Sequence, residues 1–157
     1  QGEELGLQEV SEIPDAARQD PSFFRNRAVE VGRDGCRVPL PWTRTGSSYG
    51  FGAGGSHLPQ PLWFGHYSVE AQDGDPASTL TLYRAALSLR RRLQTGESLE
   101  WIATGRDDVL GFRRPGGWQV VANFGTEPYR LPEGEIVLAS GPLAEALPGE
   151  TTVWLHP

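Results

Sequence analysis

Two acidic pairs, Glu3-Glu4 and Asp107-Asp108, are the first residues in this chain whose types could do chemistry. Two carboxyls that act as nucleophile and acid across one bond must stand about 5 Å apart on different elements. Neighbours in sequence do not present that geometry. The pairs therefore read as solvated carboxylates or as carboxylates that support ligand-contacting groups, and Glu3 is the candidate for the supporting role. Gly46-Ser47-Ser48-Tyr49-Gly50 fits the G-x-S-x-G pattern of an esterase nucleophile on Ser48. That motif needs a strand before it and a helix after it. Gly50-Phe51-Gly52-Ala53-Gly54-Gly55 fits the dinucleotide pattern, which has the same requirement. His57-Leu58-Pro59-Gln60-Pro61 follows and cannot open a helix, so both motifs read as one glycine-rich loop. His57, His66 and His156 are too dispersed for the short ligand spacing of a metal site. Trp42 and Trp63 could stack on sugar faces or pack in a core; Trp101, Trp118 and Trp154 read as structural.

The elements that must position these residues fall into two patterns. Across residues 1–65, six prolines from Pro14 to Pro61 interrupt any long periodic element, so the segment reads as irregular with short helices. Asp20-Pro21 is a cap and first-turn pair for a helical turn or two within residues 16–27. Asp75-Pro76 is a second such pair. The apolar residues Leu80, Tyr83 and Leu87, widened by Leu82, Ala86, Leu89 and Leu93, then predict a long helix over about residues 75–94. Arg90, Arg91 and Arg92 complement the negative end of its dipole, and Gly96 stops it. From Glu97 the period changes to two: Leu99, Trp101 and Ala103, then Trp118, Val120, Ala122 and Phe124, then a short buried-type run from Ile136 to Ala139, then Val153 and Leu155. Turn signals such as Pro115-Gly116-Gly117 and Pro132-Glu133-Gly134 lie between them. The expected organisation is an N-terminal part, 1–95, and an antiparallel β-domain, 97–157.

Bulk properties narrow the function. A formal net charge of −6 argues against a nucleic-acid partner, and the arginine triplet reads as a solvated helix end. No apolar run approaches the roughly 18 residues that cross a membrane. One cysteine, Cys36, leaves no internal disulfide, and cytoplasmic residence is the default. No cofactor or metal is expected. The chain holds no Met, which points to a processed N-terminus or to part of a longer protein, and residues 1–30 show no signal-peptide core.

Gln1-Gly2-Glu3-Glu4-Leu5-Gly6, the stretch Pro14-Asp15-Ala16-Ala17-Arg18-Gln19-Asp20-Pro21, and Gly32-Arg33-Asp34-Gly35-Cys36-Arg37-Val38-Pro39-Leu40-Pro41-Trp42 stand in this order, and Leu58-Pro59-Gln60-Pro61 and Val69-Glu70-Ala71-Gln72 follow. In that order these segments resemble the α-glucosidases of glycoside hydrolase family 13. Other members carry Asn-Ala-Arg and Pro-Met-Gln where this chain has Gly35-Cys36-Arg37 and Pro39-Leu40-Pro41.

The resemblance implies an α+β piece: the last βα segment of a (β/α)8 TIM barrel, followed by a C-terminal antiparallel β-sandwich. Such enzymes hydrolyse α-glucosidic bonds of oligosaccharides with retention, using an Asp nucleophile, a Glu acid and a third Asp. In the family's order those three precede Gln1, so the chain alone is expected to be inactive. The missing N-terminal barrel half is then its obligate packing partner. Arg33 or Arg37 resembles the arginine that pairs with an early-barrel Asp and binds the non-reducing-end glucose. A guanidinium fork suits vicinal hydroxyls and a fixed carboxylate; a structural salt bridge at the barrel rim is the alternative for both. The competing readings are a non-catalytic module that binds carbohydrate or protein through the β-domain and, more remotely, the Ser48 esterase.

Overall fold

The structure, a computed structural model, describes residues 1–27 and 29–157. The chain divides into two compact units, Gln1–Tyr83 and Arg84–Pro157.

Proline spacing shapes the first unit. Turns of 3₁₀ type at Glu3–Leu5, Asp15–Ala17, Asp34–Cys36 and Ser47–Gly50 alternate with short helices α1 (Pro21–Arg25), α2 (Phe64–Tyr67) and α3 (Val69–Gln72). Helix α1 begins as Asp20-Pro21 predicts: the Asp20 side chain accepts the Ser22 N–H at 2.8 Å, with Pro21 in the first turn. A small core of Val10, Ile13, Val38, Leu58 and Phe64 gathers these irregular stretches. Trp63 packs edge-on against Phe64, with centroids 4.7 Å apart. The Val10 N–H donates to the Gly35 carbonyl at 3.2 Å and fixes the two segments side by side. Buried Gln72 ties the chain's first turn to its last helix: Nε2 donates to the Leu5 carbonyl at 2.8 Å, and Oε1 accepts the Leu80 N–H at 3.0 Å.

Helix α4 (Thr79–Leu93) starts three residues later than the Asp75-Pro76 pair suggests. Asp75 does act as a local cap, but of a turn: its carboxylate accepts from the Ala77 N–H at 2.9 Å, and its carbonyl from the Ser78 N–H. Ser78 is the true N-cap. Its hydroxyl accepts the Thr81 N–H at 3.2 Å, and its carbonyl accepts the first helical bond, from Leu82. Two capping residues three apart compete here, and the serine wins because Pro76 is already spent in the turn. Leu80 is buried, whereas Tyr83 and Leu87 are 37% and 52% exposed.

The second unit holds the strands. β1 (Glu100–Ile102), β2 (Val109–Arg113), β3 (Gln119–Asn123), β5 (Glu135–Ala139) and β7 (Thr151–His156) form one antiparallel sheet in the order β1-β2-β3-β7-β5. β4 (Tyr129–Arg130) and β6 (Ala146–Leu147) form a second, two-stranded sheet. The alternation predicts β1, β3 and β7, and the apolar run 136–139 predicts β5, although that strand is not buried as such a run suggests: Ile136 is 45% exposed. The alternation misses β2, whose Val-Leu-Gly-Phe-Arg carries apolar residues on both faces. Val109, Val121, Val153 and Leu155 point to one side and enclose Leu147 of the small sheet, which is fully buried. Asn123 pins the loops at the sheet's end: its amide nitrogen is directed at the carbonyls of Glu127, Leu147 and Pro148, and its oxygen accepts the Gly125 N–H at 3.1 Å. The architecture is thus the expected α+β one, an irregular segment and a long helix followed by an antiparallel β-domain.

Candidate sugar-binding segment

The run Gly32–Trp42 is built around two buried carboxylates, Asp20 and Asp34. Asp34 opens the 3₁₀ turn Asp34–Cys36, and its Oδ2 accepts two backbone N–H groups, from Gln19 at 2.9 Å and from Asp20 at 3.0 Å. Asp20 reaches back in turn. Its Oδ2 accepts the Arg33 N–H at 2.9 Å and the Arg37 guanidinium at 3.1 Å. The Asp20 carboxyl is held below its ordinary 3.8, first by the Ser22 N–H, then by the Arg33 N–H, with the Arg37 charge adding to them against burial. Gly32 permits this approach. Its φ is +73°, and a Cβ there would lie 2.8 Å from the Asp20 Cβ.

The two candidate arginines differ in how they are held. Arg37 is clamped at one guanidinium nitrogen, while its side chain stays half exposed. Arg33 is held by its backbone, and its side chain makes no hydrogen bond or ion pair among the described residues. Between them, the Cys36 thiol donates to the Arg33 carbonyl at 3.2 Å. Glu3 lies in the first turn, exposed, at a cleft of about 210 Å³ that it shares with Gln1, Glu9, Cys36, Val38 and Phe64. The structure so brings Glu3 and Cys36 to one cleft. Neither arginine lines it among the described residues.

Trp42 follows directly. Its N–H donates to the Tyr49 carbonyl at 2.7 Å, and its carbonyl accepts the Glu70 N–H at 3.0 Å. The indole is 50% exposed. The Tyr49 carbonyl also accepts the Thr43 N–H at 2.9 Å. This double acceptor is presented by a strained backbone, with Ser48 at φ 50° and Tyr49 at φ 47°. The esterase geometry is absent: Ser48 lies in a 3₁₀ turn with no strand before it, and the next α-helix starts at Phe64. The same loop conformation removes the dinucleotide reading. Among the described residues no three of His, Cys, Asp and Glu come together as a metal site, and no helix is long and apolar enough to cross a membrane.

In the β-domain, Trp118 is buried against Trp154, with centroids 5.2 Å apart, as a structural pair should be. Trp101 departs from expectation. It sits on edge strand β1, is 67% exposed, and meets only the edge of Phe112 at 6.2 Å. The alternation puts Trp101 in a strand with Leu99 and Ala103, but β1 holds only Glu100–Ile102; Trp101 lies opposite Phe112 on this edge strand, and its side is left open.

Residues 1–97 match the family model described as the α-amylase catalytic domain. A probable α-glucosidase of Rhizobium meliloti (strain 1021) is 38% identical over 120 residues, which are 74% of this chain and 21% of that protein. The crystal structure of an α-glucosyl transfer enzyme, XgtA, superposes with a TM-score of 0.79 at 31% identity, over 99% of this chain and 31% of that one. A trehalose-6-phosphate hydrolase from Bacillus licheniformis shares the fold, with a TM-score of 0.78 at 19% identity over 98% of this chain and 34% of its own. The chain thus spans about a third or less of the proteins it matches, and the segment containing Asp20, Asp34 and the two arginines lies inside the matched catalytic domain. The chain belongs to the α-amylase family of glycoside hydrolases.

Proposed function

We propose that the chain is the C-terminal part of a retaining α-glucosidase that cleaves α-glucosidic bonds of oligosaccharides. One observation carries the reading: the signature segment is folded around Asp20 and Asp34 so that one end of the Arg37 guanidinium is fixed and the rest faces outward. A pre-placed fork of this kind suits adjacent sugar hydroxyls, because little rotamer freedom is lost on binding. Arg33 or Arg37 contacts the non-reducing-end glucose, and Glu3 supports that wall of the pocket. Residues 1–95 belong to the end of the barrel, and 97–157 form the accessory β-domain. The nucleophile, the acid and the third carboxylate come from barrel strands outside these residues, so the N-terminal barrel half is the packing partner and the isolated chain is inactive. The enzyme works in the cytoplasm.

The test uses nitrophenyl α-glucoside. The 157-residue chain should release no nitrophenol above a blank, whereas the enzyme that carries this segment should. In that enzyme, Ala at the sugar-binding arginine removes a charge-assisted hydrogen bond worth about 1.5–3 kcal/mol, roughly ten- to a hundredfold in kcat/KM. Activity of the isolated chain, or normal kinetics in both R33A and R37A at unchanged Tm, would remove the reading. The exposed Trp101 favours one second reading, a β-domain that binds carbohydrate by stacking. A change in tryptophan fluorescence on adding maltooligosaccharide to the 157-residue chain, abolished by W101A, would support it.

A further inference from the structure

We infer that Asp20 is a positioning residue for sugar recognition, acting through Arg37; this rests on the α-glucosidase reading above. A single oxygen, Asp20 Oδ2, joins the backbone of Arg33 to the guanidinium of Arg37, at 2.9 and 3.1 Å. The other oxygen caps α1 through Ser22. The cap alone requires only one acceptor oxygen, which an asparagine supplies as well. The Arg37 contact is different in kind: it holds a half-exposed cation on a side chain that is itself only 6% exposed. The turn between the arginines is closed independently, with the Arg37 N–H donating to the Asp34 carbonyl at 3.0 Å and Asp34 clasping the Gln19 and Asp20 N–H groups. Apart from the Arg33 N–H, which Asp20 also accepts, the backbone of the signature has its own supports, and the charge on Asp20 is left to orient the guanidinium. Arg33, whose side chain has no such anchor, is not oriented by Asp20.

The test is a double-mutant cycle in the α-glucosidase that carries this segment, with kcat and KM measured on nitrophenyl α-glucoside for wild type, D20N, R37A and D20N/R37A. Asp20→Asn keeps the cap acceptor but turns an amide NH₂ or a single shared oxygen toward two donors. It should lower kcat/KM by roughly tenfold in the wild-type background and by less than about twofold once Arg37 is gone. Asp20→Glu, which restores the charge one methylene further out, should recover part of the loss. An equal loss from D20N in both backgrounds, or none while R37A is impaired, would overturn the inference and leave the α-glucosidase reading standing. Wild-type kinetics for both R37A and R33A would instead sink that reading, and this inference with it. Should D20N not fold, R37K decides: it keeps a cation for Asp20 but loses the outward fork, so near-wild-type kcat/KM in R37K would overturn the proposal and a loss close to that of R37A would support it.

Discussion

Asp20 and Asp34 clasp each other's backbone surroundings. The Asp34 carboxylate accepts the N–H of Asp20 at 3.0 Å, and the Asp20 carboxylate accepts the N–H of Arg33, the residue just before Asp34. The two buried side chains do not bond to each other: each is answered by backbone donors, and Asp20 also by Arg37. The lowered Asp20 carboxyl contributes to stability while it is ionised.

Acid should therefore unfold the first unit through Asp20. Its folded carboxyl is held below the ordinary 3.8, so its contribution is fully present above that value and is lost as pH falls through the lowered one. Thermal unfolding followed between about pH 5 and pH 2 should show a falling Tm, and D20N should flatten the curve. An unchanged slope in D20N would mean that other carboxylates carry the transition.

The β-domain has its own ion pair. Arg106 and Asp108 meet through two parallel bonds, which raise the arginine above its ordinary value and lower the aspartate, each through that side-chain hydrogen bond. Arg106 also donates to the Pro128 carbonyl at 3.1 Å. Gly125 lies so close that a Cβ there would collide with the Asp108 carboxylate. Gly125→Ala should break this pair and loosen the loop that Asn123 pins. Loss of amide protection at Gly125 and Glu150, whose N–H groups bond to the Asn123 side chain and the Gly125 carbonyl, with the strands β2 and β3 retained, is the expected exchange pattern.

Leu147 is the residue that closes the small sheet over the large one, and it is fully buried. Leu147→Ala should cost about 2–5 kcal/mol, the range for truncating a buried leucine. Denaturant unfolding read by Trp118 fluorescence would show it as a lower midpoint at unchanged slope. An effect below about 1 kcal/mol would mean that the site collapses around the smaller side chain.

Autonomy separates the two parts. A fragment starting at Asp75 keeps the Ser78 cap, all of α4 and every strand. It should be more soluble and unfold more cooperatively than the 157-residue chain. In the longer chain, amides of β2, β3 and β7 should exchange slowly, and most of those across residues 1–65 quickly, since apart from bonds to distant partners, such as those of Val10, Gln19, Asp20 and Arg33, their bonds close short turns. Uniform slow exchange over residues 1–65 would show that the core around Val38 and Phe64 suffices alone.

Local chemistry was legible in the sequence wherever it depended on neighbours. Asp20-Pro21 announced α1, the two-residue alternation announced β3 and β7, and His57 to Pro61 excluded a helix after the glycine loop. The family segments, read in order, also gave the fold class. Ambiguity began where two local solutions competed, as at Asp75 and Ser78. Both residues can cap, and the choice of Ser78 came with Gln72 accepting the Leu80 N–H from outside the helix. What only the tertiary structure decided was which charges meet. Asp20 and Arg37 are separated by 17 residues, with α1 and the turn Asp34–Cys36 between them, and no single repeat spans both, so no spacing rule brings them together. Their contact depends on a glycine at position 32 with positive φ and on Asp34 holding the Asp20 backbone. Trp101 shows the same limit from the other side. Its alternation fixes the face it occupies, but whether that face is covered depends on the sheet order, and β1 lies at the edge. Periodicity is a property of one strand, whereas burial is a property of what packs against it.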